Sequence, residues 1–247
     1  MKASAIIVHW NTPIELNRQI SLLKPTKELE VIIIDNASEK SIKNLELRNK
    51  NLRVVENNTN LGFAKACNQG ATISKGEWLL FLNPDTFLTS DEILKFTKNA
   101  EKKSLDAASP EQIGDSYFKP LPTWLSLLAE FSPVGRVLPL SLFEKHTLFG
   151  GCLLIKASVL KKLGGWDEDF FLWFEDSDLA KRLYDHGYKV GWLPVTYDHA
   201  GGSSFVKLDE TYRKKLFFSS MNRYAQKHFG VIGKLVVRSL TSLNTRK

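Results

Sequence analysis

Short runs of apolar residues recur through the first hundred positions, and each is followed by a stretch with helical spacing. Residues 3–8, 30–34, 52–56 and 77–82 carry such runs, and their β-branched content predicts strands buried on both faces. Helices are predicted over residues 13–23, through to about residue 49, and over 61–73 and 90–102. Thr12 precedes Pro13 as cap and first helical residue, and Thr89 or Ser90 caps the last of these helices. Four strand-then-helix units predict an α/β fold with a mostly parallel central sheet flanked by helices. Ligands of such sheets bind beyond the carboxyl ends of the strands. Three of the predicted strands end there in polar residues: Trp10-Asn11, Asp35-Asn36 and Asn83-Pro84-Asp85.

Beyond residue 103 the pattern changes. Residues 114–146 mix Pro120, Pro122, Pro133 and Pro139 with Trp124, Leu127, Leu128, Phe131 and Phe143. That is too apolar for a solvated loop and predicts a short-helix insertion covering the site or meeting a lipid. A strand over 147–156 is entered through Gly150-Gly151, where a ligand can approach the backbone. A short helix over 159–165, strands over 188–192 and 195–199, a turn over 200–204 and helices from 208 complete the prediction.

The stretch 170–179 concentrates the candidate chemistry. Phe170, Phe171, Leu172, Trp173 and Phe174 run straight into Glu175, Asp176 and Asp178, and Leu179 and Leu183 then follow at helical spacing. Acids in a first helical turn are stabilised by the helix dipole, which accounts for one or two of the three. A carboxylate on the wall of an aromatic pocket is also a candidate general base, and sugars pack their C–H faces on such rings. Asp85, with Asn83 two positions before it and Pro84 between, is either a turn former or a hard-cation site. Mg²⁺ or Mn²⁺ takes one or two protein oxygens and completes its shell with substrate phosphates. Gly62, expected inside a first helical turn after Asn60, costs about 1 kcal/mol there relative to alanine; close approach of a ligand would justify it. His199 is a surface histidine or a metal or phosphate contact.

Composition narrows the class. Hydrophobic content of 43% and charged content of 25% are those of an ordinary soluble domain. The net charge of +7 favours anionic partners: nucleic acid, diphosphates or an acidic membrane surface. The basic residues are spread along the chain with no recognition motif, which argues against nucleic acid. The missing glycine-rich fingerprint after the first strand and the missing phosphate-binding loop argue against an NAD enzyme or a P-loop ATPase. Cys67 and Cys152 lie far apart in apolar settings and predict reduced, buried thiols of a cytosolic protein. No apolar run reaches the ~18 residues needed to span a bilayer, and the first is too short for a signal peptide. The basic, aromatic region 207–247 is a solvated helical face or a peripheral contact with an anionic leaflet.

Taken in order, the segments 31–38, 60–63 with Asn68-Gln69-Gly70, and 82–85 resemble the inverting family 2 glycosyltransferases. Gly150-Gly151-Cys152, Gly164-Gly165-Trp166-Asp167 and Phe174-Glu175-Asp176 continue the match, in the manner of rhamnosyltransferase-like enzymes of bacterial surface-polysaccharide assembly. The similarity spans about residues 4–230.

The resemblance implies a single GT-A domain over 1–247. Its nucleotide-binding half is 1–103, its acceptor-binding and catalytic half 104–206, and its basic helical segment 207–247. Trp10 would stack on the nucleobase and Asp35 hydrogen-bond it. Asn11, Asn36, Gly62, Phe63, Asn68 and Gly151 would join them around the nucleotide sugar, with Asn83 near the ribose or diphosphate. Asp85 would hold a divalent cation, Mg²⁺ or Mn²⁺, with His199 reaching the metal or diphosphate as in some members. Asp176 would be the general base and Glu175 its neighbour; Trp166, Trp173 and Phe174 would meet the acceptor. Two positions depart from the pattern. Asn83 leaves one carboxylate at the metal position, and Cys67 stands where many relatives carry arginine, so the base preference stays open. The implied reaction moves a sugar from a nucleotide-diphosphate donor to a glycan or polyprenyl-diphosphate-linked acceptor at the inner face of the cytoplasmic membrane. dTDP-rhamnose is the donor this branch points to, with UDP- and GDP-sugars still open. A sugar nucleotidyltransferase would carry a glycine-rich loop with Arg and Lys where this chain has Val8-His9-Trp10-Asn11; a non-catalytic sugar-nucleotide-binding protein is the other alternative.

Overall fold

A computed structural model describes residues 1–24, 26–40, 42, 52–111, 119–133, 145–195, 198–199 and 209–245. The first half runs β1 (Ala3–His9), α1 (Pro13–Leu22), β2 (Leu29–Asp35), β3 (Leu52–Glu56), α2 (Phe63–Ile73), β4 (Trp78–Leu82), β5 (Thr86–Phe87) and α3 (Ser90–Lys102). The second runs β6 (Ala107–Glu111), α4 (Trp124–Phe131), β7 (Cys152–Lys156), α5 (Ala157–Lys162), α6 (Glu175–Asp185), β8 (Val190–Pro194), β9 (Asp198–His199), α7 (Glu210–His228) and α8 (Val231–Thr245). Among the described residues, seven strands form one sheet in the order β3-β2-β1-β4-β7-β6-β8. All pairings are parallel except those of β7, which runs against both β4 and β6.

Side chains that alternate along the strands supply two cores, one on each face. Ile7, Ile33, Leu80 and Leu154 pack under α1 and α3 through Leu16, Ile93 and Phe96. Ile6, Ile32, Phe81 and Leu153 pack under α2 and α6 through Ala64, Cys67, Leu179 and Leu183. Burial on both sides explains why these strands read as continuous apolar runs. Both cysteines are free and buried. A third cluster, away from the sheet, joins Leu127 of α4, Phe170 and Phe174 to Phe218, Met221 and Tyr224 of α7 and Val237 and Leu240 of α8. The carboxy-terminal helices are therefore packed on the aromatic stretch that precedes α6.

Several expectations change. Thr12 sits at the amino end of α1, but its hydroxyl pairs with Nδ1 of His9 at 2.9 Å and makes no capping bond. Thr89 caps α3 through a full box with Glu92. Gly62 lies before α2 rather than inside its first turn. β6 is a strand that the apolar pattern does not announce; β8 has the length expected but lies two positions later, and β9 is shorter than the strand expected over 195–199. The helix expected up to residue 49 and the turn over 200–204 fall outside the described residues, as does much of 114–146, where α4 is the described helix.

Candidate active site

The antiparallel strand β7 builds the site. Its register sets Leu82 opposite Cys152, so the loop after β4 meets the glycines that precede β7. Asn83 donates its backbone N–H to the Gly151 carbonyl at 2.9 Å, and its own carbonyl accepts from Thr86 N at 3.1 Å. This turn presents Asn83 and Asp85 beside Gly150 and Gly151. A Cβ on Gly151 would stand 2.5 Å from the Phe149 ring and 2.9 Å from Nδ2 of Asn83, so a side chain there has no room.

On the facing wall, Trp173 (φ 66°) and Phe174 (φ 67°) both adopt the left-handed conformation, which is strained for aromatic residues. α7 holds them there. Phe217 lies 5.8 Å from the Trp173 ring and 5.3 Å from the Phe174 ring, Tyr224 lies 5.6 Å from Phe174, and Ser220 Oγ bonds the Leu172 carbonyl at 2.7 Å. The turn delivers Glu175 and Asp176 as the opening residues of α6. Phe63, Asn83, Asp85, Gly150, Gly151, Trp173, Phe174, Glu175 and Asp176 thereby share one cavity of about 320 Å³. Lys119, Thr147, Leu148, Phe149 and Leu172 complete its wall.

The three acids of α6 have different surroundings. Asp176 Oδ1 accepts from Ser177 N at 2.6 Å and Ser177 Oγ at 3.3 Å, and Oδ2 accepts from Gly150 N at 3.3 Å. Burial pushes its carboxyl up, while the Ser177 and Gly150 donors and the charge of Lys119 work against that rise. Glu175 is pushed up to about 8, by burial first and the neighbouring Asp176 second. Asp178 is fully buried, and burial alone would raise it. His228 Nε2, Arg182 Nε and Lys227 Nζ, each at 2.7 Å, instead hold it at about 2. Asp178 is thus the structural acid of the three, tying α6 to α7.

Other expected site residues take different places. Trp10 and Asn11 line a separate depression of about 510 Å³ with Ser38, Glu39 and Lys40. Asn11, at φ 54°, is fixed there by its N–H to Ser38 Oγ at 2.9 Å and its Oδ1 to Glu39 N at 2.8 Å. Asp35 is buried and accepts from Ser38 N at 3.0 Å, so it shapes that loop. β1 is hydrogen-bonded to both β2 and β4, which puts this depression and the cavity on the same rim of the sheet. Asn36 has a structural task instead of the expected ligand contact. Its Nδ2 donates to Asn60 Oδ1 and the Gly62 carbonyl, and its Oδ1 accepts from Leu61 N and Asn57 Nδ2. Gly62 is required by its φ of 84° and by the Phe171 carbonyl, which a Cβ would approach to 2.7 Å; the neighbour is the chain itself, not a ligand. Asn68 bridges the Trp166 backbone and Glu168. Trp166 is 2% exposed and packs edge-on against Phe81 at 5.0 Å and Phe63 at 5.7 Å, so it belongs to the core and presents no face to an acceptor. The His199 backbone pairs with Thr86 in the β5–β9 ribbon; its side chain lies outside the described residues.

A divalent cation fits the donor set in one way. Among the described residues no group of three or more His, Cys, Asp or Glu side chains gathers as a metal cage. Asp85, with Asn83 beside it on the cavity wall, offers hard oxygen donors, the set that suits Mg²⁺ or Mn²⁺ sharing its shell with phosphate and water. Lys119 is the lining residue that the sequence did not announce: a single lysine before Pro120 carries no pattern, and only folding brings it to the acids.

The model of the family described as "Glycosyl transferase family 2" matches residues 4–164, and that described as "N-terminal domain of galactosyltransferase" matches residues 142–201. Rhamnosyltransferase WbbL of Escherichia coli is 24% identical over 146 residues, covering 52% of this chain and 55% of the relative. The chain thus spans about half the length of that relative. dTDP-rhamnosyl transferase RfbF of Shigella flexneri is 24% identical over 217 residues, covering 83% of this chain and 71% of the relative. Among solved structures, a mannosyltransferase from Pyrobaculum calidifontis in complex with GDP-Man and Mn²⁺ superposes with a TM-score of 0.65 at 17% identity, covering 98% of this chain and 69% of that one. The shared architecture is the GT-A fold.

Proposed function

This chain belongs to glycosyl transferase family 2, and from that premise we propose that it transfers a sugar from a nucleotide diphosphate to an acceptor hydroxyl with inversion at the anomeric carbon. The observation that carries the proposal is the sharing of one cavity by Asp85 and Asp176, one acid suited to a cation and the other to a proton. Asp176 accepts the proton of the attacking hydroxyl as the new bond forms. Gly150 N and Ser177 N keep its carboxylate ready in a buried place, and the hydroxyl becomes acidic only as it attacks. Asp85 and Asn83 would hold the cation, which when bound neutralises charge gathering on the leaving diphosphate. The nucleobase lies against Trp10 in the neighbouring depression. In-line attack from the face opposite the diphosphate gives the inverted product.

The donor we propose is dTDP-rhamnose, supported by the likeness to enzymes that bear rhamnosyltransferase names. A thermal-shift panel of dTDP-rhamnose, UDP-N-acetylglucosamine and GDP-mannose tests donor and cation together. dTDP-rhamnose with Mn²⁺ or Mg²⁺ is expected to raise the melting temperature by roughly 3 °C or more, and EDTA to remove the shift. A larger shift from either other nucleotide sugar, or one indifferent to EDTA, overturns the donor or the cation.

The acceptor proposed is a glycan carried on a polyprenyl diphosphate, reached at an anionic membrane surface. Among the described residues no helix is long and apolar enough to cross a membrane. Of the basic residues of α7, Arg223 pairs with Asp169, Lys227 with Asp167 and Asp178, and Lys214 with Glu210. The better surface is the outer face of α8, where Val231, Ile232, Leu235 and Leu243 are exposed beside Lys234 and Arg238 in a helix without acids. The chain is expected to float with vesicles containing phosphatidylglycerol and not with pure phosphatidylcholine. Ile232→Glu with Leu235→Glu abolishes the flotation; flotation that survives both changes, or self-association through that face, contradicts it.

A further inference from the structure

Resting on the transferase reading, we infer that Glu175 is a neutral hydrogen-bond donor to a hydroxyl oxygen of the sugar bound in the cavity, and so selects the substrate rather than serving as a second base. Glu175 is 7% exposed and lines the cavity. One side-chain oxygen is met by its own backbone N–H. The other, Oε2, is buried with no hydrogen-bond partner among the described residues. A buried carboxylate needs several donors. Asp176, one residue on, has three from Ser177 and Gly150, whereas the wall next to Glu175 is made of Leu172, Trp173 and Phe174.

Among the described residues, the charged and titratable groups around Glu175 do not supply a counter-ion of its own. Asp176 shares its turn, Asp85 shares the cavity wall, and Lys119, the cation among the lining residues, acts on Asp176. On α2, the Cys67 thiol is raised by burial and then by the charge of Glu175, so that neighbour is neutral. Burial and Asp176 push Glu175 up to about 8. It therefore keeps its proton through neutral pH, and the two adjacent carboxyls divide into one acid and one base. An O–H donor buried without an acceptor is costly. A sugar oxygen arriving in the cavity removes that cost, and an analogue lacking the oxygen leaves the cost in place.

The test has two arms. The first uses no ligand and follows melting temperature against pH for the wild type and Glu175→Gln. A carboxyl with a folded pKa about 8, against 4.5 for a free glutamate side chain, contributes stability that is complete below pH 4.5 and is lost as pH rises from there through 8. The wild type is thus expected to fall relative to Glu175→Gln by roughly 8 °C or more between pH 5 and pH 8.5. Parallel curves mean that Glu175 is ionised throughout, and the inference fails. The second arm titrates dTDP-rhamnose with Mg²⁺ at pH 6.5 and pH 9. Wild-type affinity should drop about tenfold at the higher pH, that of Glu175→Gln less than about threefold, and Glu175→Ala should bind weakly at both, as expected for a lost buried donor. Equal pH dependence in wild type and Glu175→Gln overturns the donor role. No binding by the wild type at either pH removes the donor role together with this nucleotide sugar, while the first arm still reports whether Glu175 holds its proton.

Discussion

Asp176→Asn is expected to lower turnover by about 100-fold or more while leaving donor affinity within about threefold of the wild type. General-base removal costs roughly 10²–10⁴ in rate, and asparagine keeps the shape of the side chain while losing its basicity. The amide oxygen can still accept from Ser177 N, which now bonds Oδ1 at 2.6 Å, so the start of α6 stays formed. Gly150 limits what else fits: a Cβ there would already lie 3.2 Å from the Asp176 Cβ. Single-turnover kinetics with a donor titration separates the outcomes. Affinity that falls in parallel with rate would make Asp176 a binding residue instead.

Asp85→Ala is expected to weaken nucleotide-diphosphate binding by about 100-fold in Mn²⁺ or Mg²⁺, to the level the wild type shows in EDTA. Asp85 is 4% exposed on the cavity wall, and Asn83 beside it is a neutral donor. With one carboxylate at the site, cation and diphosphate bind as a unit, since each supplies ligands or charge the other lacks. The Asn83 backbone bonds to Gly151 and Thr86 do not involve Asp85, so the turn itself is expected to persist. Isothermal titration with and without EDTA checks the loss.

The parts of this fold that local pattern announces are those where local and tertiary demands agree. Residues 5–7, 31–34 and 78–82 are apolar on both faces because the sheet is covered on both faces, and Thr89 with Glu92 satisfies the start of α3 without outside help. β6 is different. Ala107-Ala108-Ser109-Pro110 has little strand preference and is extended because β7 and β8 pair with it on either side. Pro110 is tolerated because the β7 pairing stops at Ala108.

The candidate site divides in the same manner. Acids set against aromatics mark the start of α6 in the sequence, and polar strand ends mark the rim. Asparagine is ambiguous, since its amide serves a ligand or a loop equally well. Asn36 and Asn68 close loops through bonds to residues 24 and 98 positions away. Trp166 is expected from the resemblance to meet the acceptor, but Phe81 and Phe63 enclose it in the core. The basic carboxy-terminal region reads as one charged face, yet Lys227 is paired with Asp167, 60 positions earlier, and no composition reports that.

The most direct test of the central claim is one titration of nucleotide diphosphate, with Mg²⁺ and with EDTA, into wild type, Asp85→Ala and Asp176→Asn, followed by turnover of the same samples. Asp85→Ala is expected to lose the cation-dependent affinity, and Asp176→Asn to keep it and lose the turnover. Nucleotide affinity that is indifferent to Asp85 and to EDTA, or an Asp176→Asn protein that turns over at the wild-type rate, would contradict a transferase built on these two acids.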